Sequence, residues 1–280
     1  MIPIIFLLDL DGTLQGNIYP QVSEYSLIGK LNAISNKNIK YSINNLMNDF
    51  KSNLLRPYVK ESLTHMKKYH PQIEFFVYTA SSDDWAKFLI PKIDKYITNG
   101  KGNIFNKPYF MRSDVSEGIK SIKHVFPRIK RSLSKKYDEI SINNVYLVDN
   151  NYVIHPLEVS KLIKCPSYDY THIINPFRNL SNDIIEKYHN KISNELLQSN
   201  SKHVIEMYKK YYDRAFKEYE KANRENKEFI NDDYWKMFGQ LVINSDLKTQ
   251  DNINKTINTL QKLHKGNKYW KLLEKAIIKI

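Results

Sequence analysis

Three runs of consecutive apolar residues, Ile2 to Leu8, Ile73 to Tyr78 and Val145 to Val148, punctuate the first half of the chain. None alternates with polar positions, so each predicts a strand buried on both faces, as in a parallel sheet. Each run also stops abruptly at polar residues able to do chemistry. Helical spacing predicts helices over Tyr58 to Tyr69 and Trp85 to Tyr96. Strands and helices therefore alternate, which predicts an α/β fold with helices on both faces of the sheet. Leu162 to Cys165 reads as a weaker fourth strand.

Two stretches interrupt this alternation. Gln15 to Leu55 is long for a simple loop and predicts a small insertion or flap over the site. After about Pro176, Gly and Pro nearly vanish and amphipathic spacing takes over, predicting helices at Asn182 to Gln198, Lys202 to Glu228, Asp233 to Asn244 and Asn252 to His264. The expected organisation is an α/β domain over residues 1–176, with 15–55 as its insertion, followed by an α-helical region over 177–280. In the second predicted helix Val204, Tyr208, Tyr211, Ala215, Tyr219 and Ala222 form an apolar stripe, which packing on another helix explains better than stacking on nucleic-acid bases.

Composition narrows the function classes. Forty-three Lys and Arg against 30 Asp and Glu leave a net charge of +13, favouring an anionic partner such as a phosphoprotein or nucleic acid. The single cysteine, Cys165, excludes an intrachain disulfide and a Cys-rich zinc site, and reads as a small buried apolar residue. His70, His124, His155 and the other histidines lack metal-ligand spacing. No run approaches the roughly 18 to 20 apolar residues of a spanning helix. The expectation is an intracellular protein, cytoplasmic or nuclear, that does not insert into a membrane.

The candidate chemistry sits where the apolar runs end. Asp9-Leu10-Asp11-Gly12-Thr13-Leu14 follows the first run directly. Side chains at the carboxyl end of a strand in an open α/β sheet face the ligand crevice, so Asp9 and Asp11 can straddle one phosphoryl group. Gly12 frees the backbone to turn there. Thr79 ends the second run and Asp149 the third, the latter followed by Asn150.

This set of motifs resembles that of the haloacid dehalogenase (HAD) superfamily and implies a Rossmann-like HAD core. By that resemblance Asp9 attacks phosphorus to give an aspartyl-phosphate, and Asp11 protonates the leaving oxygen and then activates water. Thr79 binds a phosphoryl oxygen. Mg²⁺ is held by Asp9, Asp149 and the Asp11 backbone carbonyl, with Asn150 contributing through water. The family also places a lysine between nucleophile and phosphate; Lys120 and Lys123 both occupy the right interval, and Lys120 is preferred from its context Glu117-Gly118-Ile119-Lys120-Ser121-Ile122.

Within the superfamily the chain is similar to the phosphatases of the RNA polymerase II C-terminal domain over roughly residues 1 to 175. The similarity rests on Leu55-Arg56-Pro57-Tyr58-Val59, Val77-Tyr78-Thr79-Ala80-Ser81, Met111-Arg112-Ser113 and Val148-Asp149-Asn150 with Val153-Ile154-His155-Pro156. It departs from that pattern at Gly12, where those enzymes usually carry Glu, and at Asn151-Tyr152, where they carry Ser-Pro. The resemblance implies a Mg²⁺-dependent phosphomonoesterase acting on phosphoserine or phosphothreonine of a protein. A polynucleotide 3′- or 5′-end phosphatase would use the same residues along a basic groove. A non-catalytic scaffold would keep the fold alone, a reading that retention of Asp9 and Asp11 disfavours.

Overall fold

A computed structural model describes residues 2–36, 38–172, 174, 178–181, 183 and 232–263. In chain order its principal elements are β1 (Ile4–Leu8), α1 (Tyr19–Ser35), α2 (Ile43–Asp49), α3 (Val59–Tyr69), β2 (Ile73–Val77), α4 (Asp83–Thr98), α5 (Ile122–Leu133), β3 (Val145–Asp149), β4 (Leu162–Lys164), α6 (Tyr234–Ile243) and α7 (Gln250–Leu260). The helices expected at Asn182 to Gln198 and Lys202 to Glu228 lie outside the described residues.

The four strands form one parallel sheet in the order β2-β1-β3-β4. Every residue of β1, β2 and β3 is buried, which is why these segments carry unbroken apolar runs rather than alternating ones. Leu8 pairs with Val77 on one side and Val148 on the other, so Asp9, Tyr78 and Asp149 emerge together at the carboxyl edge. The chain leaves β1 for β2 on one side and later returns to β3 on the other. That reversal is the switch point at which open α/β sheets form their ligand crevice.

The chain divides into two compact units that are discontinuous in sequence: Met1–Gln15, Arg56–Tyr168 and Asp232–Ile280 in one, Gly16–Leu55 and Asp169–Asn231 in the other. The described C-terminal helices thus share a unit with the sheet. In α6 the positions Tyr234, Trp235, Phe238, Gly239 and Val242 are all buried, the i, i+4, i+8 spacing of one helical face. The Phe238 ring meets Phe6 of β1 edge-on at 5.7 Å. Gly239 lets α6 approach α3 closely, since a Cβ there would come within 2.7 Å of the Ser62 hydroxyl oxygen. Ser62 in turn donates to the Trp235 carbonyl at 2.5 Å.

On the other face α5 lays Ile122, Val125, Ile129 and Leu133 against Ile5, Leu7, Val145 and Leu147. The second unit, described by itself, holds α1, α2 and the segment around Arg178. The insertion expected over 15–55 is therefore largely helical. Among the described residues no helix is long and apolar enough to cross a membrane.

Candidate active site

The acidic side chains at the carboxyl edge cannot approach one another without a cation. Lys120 supplies it: its ammonium donates to Asp9 Oδ1 at 2.6 Å and to Asp149 Oδ2 at 2.7 Å, and all three residues are buried. Lys120 reaches that position because its short segment pairs with the segment after β3. The Lys120 N–H donates to the Val153 carbonyl and the His155 N–H to the Lys120 carbonyl. Lys123 is instead exposed on the first turn of α5, its backbone N–H bonded to Glu158. Of the two candidate lysines, only Lys120 touches the carboxylates.

The electrostatics remain strained. Burial pushes the Asp9 carboxyl up, Lys120 opposes this, and Asp149 and Asp11 add to it, so Asp9 is raised to about 7. For Lys120, burial disfavours the charged form, but Asp9 and Asp149 outweigh it and hold the ammonium more firmly protonated. Asp149 Oδ1 accepts the Asn151 N–H at 2.7 Å, which aims its other oxygen at Lys120.

Asp11, half-buried, is fixed through both oxygens. Ser81 Oγ donates to Oδ2 at 2.6 Å and Gln15 Nε2 to Oδ1 at 2.8 Å. Burial raises its pKa while Ser81 and Gln15 pull it back. Thr79 is buried, and its hydroxyl oxygen accepts the Ser81 N–H at 3.1 Å, which leaves its proton to be donated. The Asn150 amide packs over Gly12, where φ is +76° and a Cβ would meet the amide nitrogen at 2.5 Å; Gly12 is required here on both counts. Asn150 Oδ1 accepts the Thr13 hydroxyl at 3.2 Å, and Asn150 Nδ2 donates to Ser167.

The donor set suits a hard cation. Asp9 and Asp149 supply carboxylate oxygens, and among the described residues the Asp11 carbonyl accepts no hydrogen bond. No three His, Cys, Asp or Glu side chains converge on a point among those residues, so two carboxylates and a carbonyl are what the protein offers. Mg²⁺, which keeps several waters and commonly takes one or two carboxylates plus a substrate phosphate, fits such a set.

Sequence reading missed the residues that hold this loop from behind. Arg56, buried, donates to the carbonyls of Gly12, Thr13 and Pro166 and pairs through two nitrogens with Asp232, at 3.1 and 2.7 Å. Its guanidinium lies over the Tyr168 and Tyr234 rings. The Trp235 indole N–H donates to the Thr13 carbonyl at 3.0 Å. Arg56, three residues before α3 begins at Val59, thus clamps the Asp9–Thr13 loop. A buried arginine must find partners, but nothing local in the sequence names Asp232 as one.

Cys165 is buried, with its thiol pushed up to about 12 mainly by burial, and it packs beneath Thr13.

Comparison with known proteins places the sequence in one family. No curated protein matches the chain. Among the solved structures that do are Fcp1, described as an essential RNA polymerase II CTD phosphatase, at 16% identity and a TM-score of 0.36, and a variant of fission yeast Fcp1 bound to beryllium fluoride, at 15% and 0.38. Both matches cover 94% of this chain, which spans 61% and 63% of those structures. The sequence profile of the NLI interacting factor-like phosphatases matches residues 4–186, an interval that contains Asp9, Asp11, Thr79, Lys120 and Asp149 but ends before Asp232 and Trp235. By that match the chain belongs to the NLI interacting factor-like phosphatase family.

Proposed function

We propose that the chain hydrolyses phosphomonoesters through an aspartyl-phosphate on Asp9, with Mg²⁺ as cofactor and phosphoserine or phosphothreonine of a protein as substrate. The observation that carries this reading is the arrangement of Asp9 and Asp149 around the Lys120 ammonium, with Asp11 fixed two residues from the nucleophile.

An Asp9 oxygen attacks phosphorus while Asp11, protonated, gives its proton to the departing serine or threonine oxygen. Asp11, now a carboxylate, takes a proton from water; the resulting hydroxide attacks phosphorus, breaks the Asp9–phosphorus bond and frees the nucleophile. Ser81 and Gln15 hold Asp11 in place for both steps. Lys120 lets the anionic nucleophile and the phosphate approach in a site with little water. Thr79 donates its hydroxyl proton to a phosphoryl oxygen. Mg²⁺, held by Asp9, Asp149 and the Asp11 carbonyl with Asn150 behind a bound water, would neutralise charge on the transferring group.

A polypeptide substrate is supported by family membership and by the Fcp1 structures' description as CTD phosphatases. An intracellular site of action, nuclear or cytoplasmic, agrees with the lone buried cysteine. The test is Mg²⁺-dependent phosphate release from an aryl phosphate, a phosphoserine peptide and 3′- and 5′-phosphorylated oligonucleotides, with Asp9→Asn as control. Preferential turnover of the peptide supports the proposal. Preferential turnover of the oligonucleotides would replace the substrate class, and equal inertness of both proteins would favour a scaffold.

A further inference from the structure

Between Gly118 and Asp138 the chain has no Asp or Glu. Over the same interval α5 and its C-terminal turn carry Lys123, Arg128, Lys130, Arg131, Lys135 and Lys136 on the side away from the core. A merely solvated helix face mixes signs, because like charges three or four positions apart, such as Arg128 and Arg131, repel. Arg128 is paired with Asp114 at 2.6 Å and lies over the Phe110 ring, and Lys136 is paired with Glu74. Lys123, Lys130, Arg131, Lys135 and the nearby Lys107 form no ion pair among the described residues.

Beside this helix runs an open groove of about 630 Å³ lined by Lys107, Pro108, Tyr109, Arg128, Arg131 and Ser132. Its two walls are tied together, Ser132 Oγ donating to the Lys107 carbonyl at 2.5 Å. The segments that form both walls continue along the chain to the candidate active site. One continues from Tyr109 to Phe110, whose carbonyl accepts the Thr79 N–H, and then to Arg112, whose Nε donates to the Ala80 carbonyl. The other is α5, which begins two residues after Lys120.

We propose that this groove is an exosite for an acidic, phosphate-bearing stretch of the polypeptide substrate, engaged while a neighbouring phosphate is hydrolysed at Asp9. The inference rests on the phosphoprotein reading above and adds a second contact to it. At about 1.5 Å per helical residue, Arg128 and Arg131 lie roughly 9 to 14 Å along α5 from its first residue. At about 3.3 Å per extended residue, the second anion therefore sits roughly four to six residues from the scissile phosphate once the step back to Lys120 is included. The occupant is polypeptide rather than nucleic acid because the groove offers one aromatic ring, Tyr109, and no row of stacking platforms.

The test uses the full chain and a series of serine-phosphorylated peptides carrying a second phosphoserine two to ten residues away. Binding is read by fluorescence anisotropy in an Asp9→Asn background, so it does not depend on turnover. Arg131→Glu with Lys107→Glu is expected to raise Kd about tenfold for spacings of four to six, less at the other spacings and less at high salt. Aryl phosphate hydrolysis by the same double variant on the native background is expected to match wild type. A Kd unchanged at every spacing overturns the exosite while leaving the phosphatase reading to the aryl phosphate result. An unphosphorylated single-stranded oligonucleotide that outcompetes the peptides, and is weakened by the same substitutions, would overturn the assignment to polypeptide.

Discussion

Two buried clusters in this chain place one cation between two carboxylates, and they do it differently. In the second unit the Arg178 guanidinium forks onto both oxygens of Asp49 at 2.8 and 2.7 Å and reaches Glu24 through Nε at 3.1 Å. Asn179 adds a bond to Glu24, and Gln21 one to Asp49. At the sheet edge, Lys120 gives one hydrogen bond to each carboxylate, and among the described residues Asp9 Oδ2 meets only the Thr13 hydroxyl, at 3.3 Å and shared with Asn150. A planar fork saturates its partners, whereas a compact ammonium leaves lone pairs open. The first arrangement holds a fold together. The second keeps the Asp9 carboxylate under-coordinated and its pKa raised, a cost that a cation in the site would offset.

The largest effect that sharpens this contrast is Asp9→Asn. Turnover is expected to fall below about a thousandth of wild type, measured as Mg²⁺-dependent phosphate release. Without metal the variant should be no less stable than wild type, because the residue removed is the strained one.

Charge-neutral replacement of the two cations comes next. Lys120→Met should lower kcat/KM by about a hundredfold to a thousandfold, and Mg²⁺ should restore much of its lost thermal stability by binding between the uncompensated carboxylates. Arg178→Met should cost about 3 to 5 kcal/mol in denaturant unfolding, with no recovery in Mg²⁺ and unchanged kcat in the folded fraction. An Arg178→Met protein that is fully stable but inactive would break the comparison.

The raised Asp9 pKa sets a pH dependence of definite sign. The folded state keeps a proton that the unfolded state releases above its ordinary value of 3.8, so this group's contribution to stability falls as pH rises from about 4 to about 7. The difference in unfolding midpoint between metal-free wild type and Asp9→Asn should fall across that window and level off above it. Saturating Mg²⁺ should reverse the trend near pH 7 by binding the ionised form. A flat difference would remove the strain argument.

The smallest effect tests the clamp behind the catalytic loop. Trp235→Phe keeps an aromatic ring beside Phe238 but loses the bond to the Thr13 carbonyl, costing about 1 kcal/mol of stability. It should lower kcat several-fold at unchanged KM, since the loop's position rather than substrate contact is altered. A change in KM alone would assign Trp235 to substrate binding.

Local signals made much of this legible. Asp9, Thr79 and Asp149 each stand at or just beyond the end of a short apolar run, and in a parallel sheet run ends share an edge, so three positions far apart in sequence could be brought together on paper. Between Lys120 and Lys123 the local context favoured Lys120 but did not fix the choice. Both are lysines at the mouth of one helix, and what separates them is the pairing of residue 120 with residue 154, a contact across the chain.

What the sequence by itself determined was the order of buried strands and the residues at their ends, because burial on both faces demands continuous apolar runs and a run's end is a local fact. Only the tertiary structure turned the preference for Lys120 into a contact with the nucleophile. It also decided that the segment entering α6, outside the family-matched interval, closes the clamp through Asp232 and Trp235. The physical reason is that a buried charge or a carbonyl accepts any donor that folding brings within about 3 Å, and the partner's distance along the chain leaves no trace in either residue's neighbours.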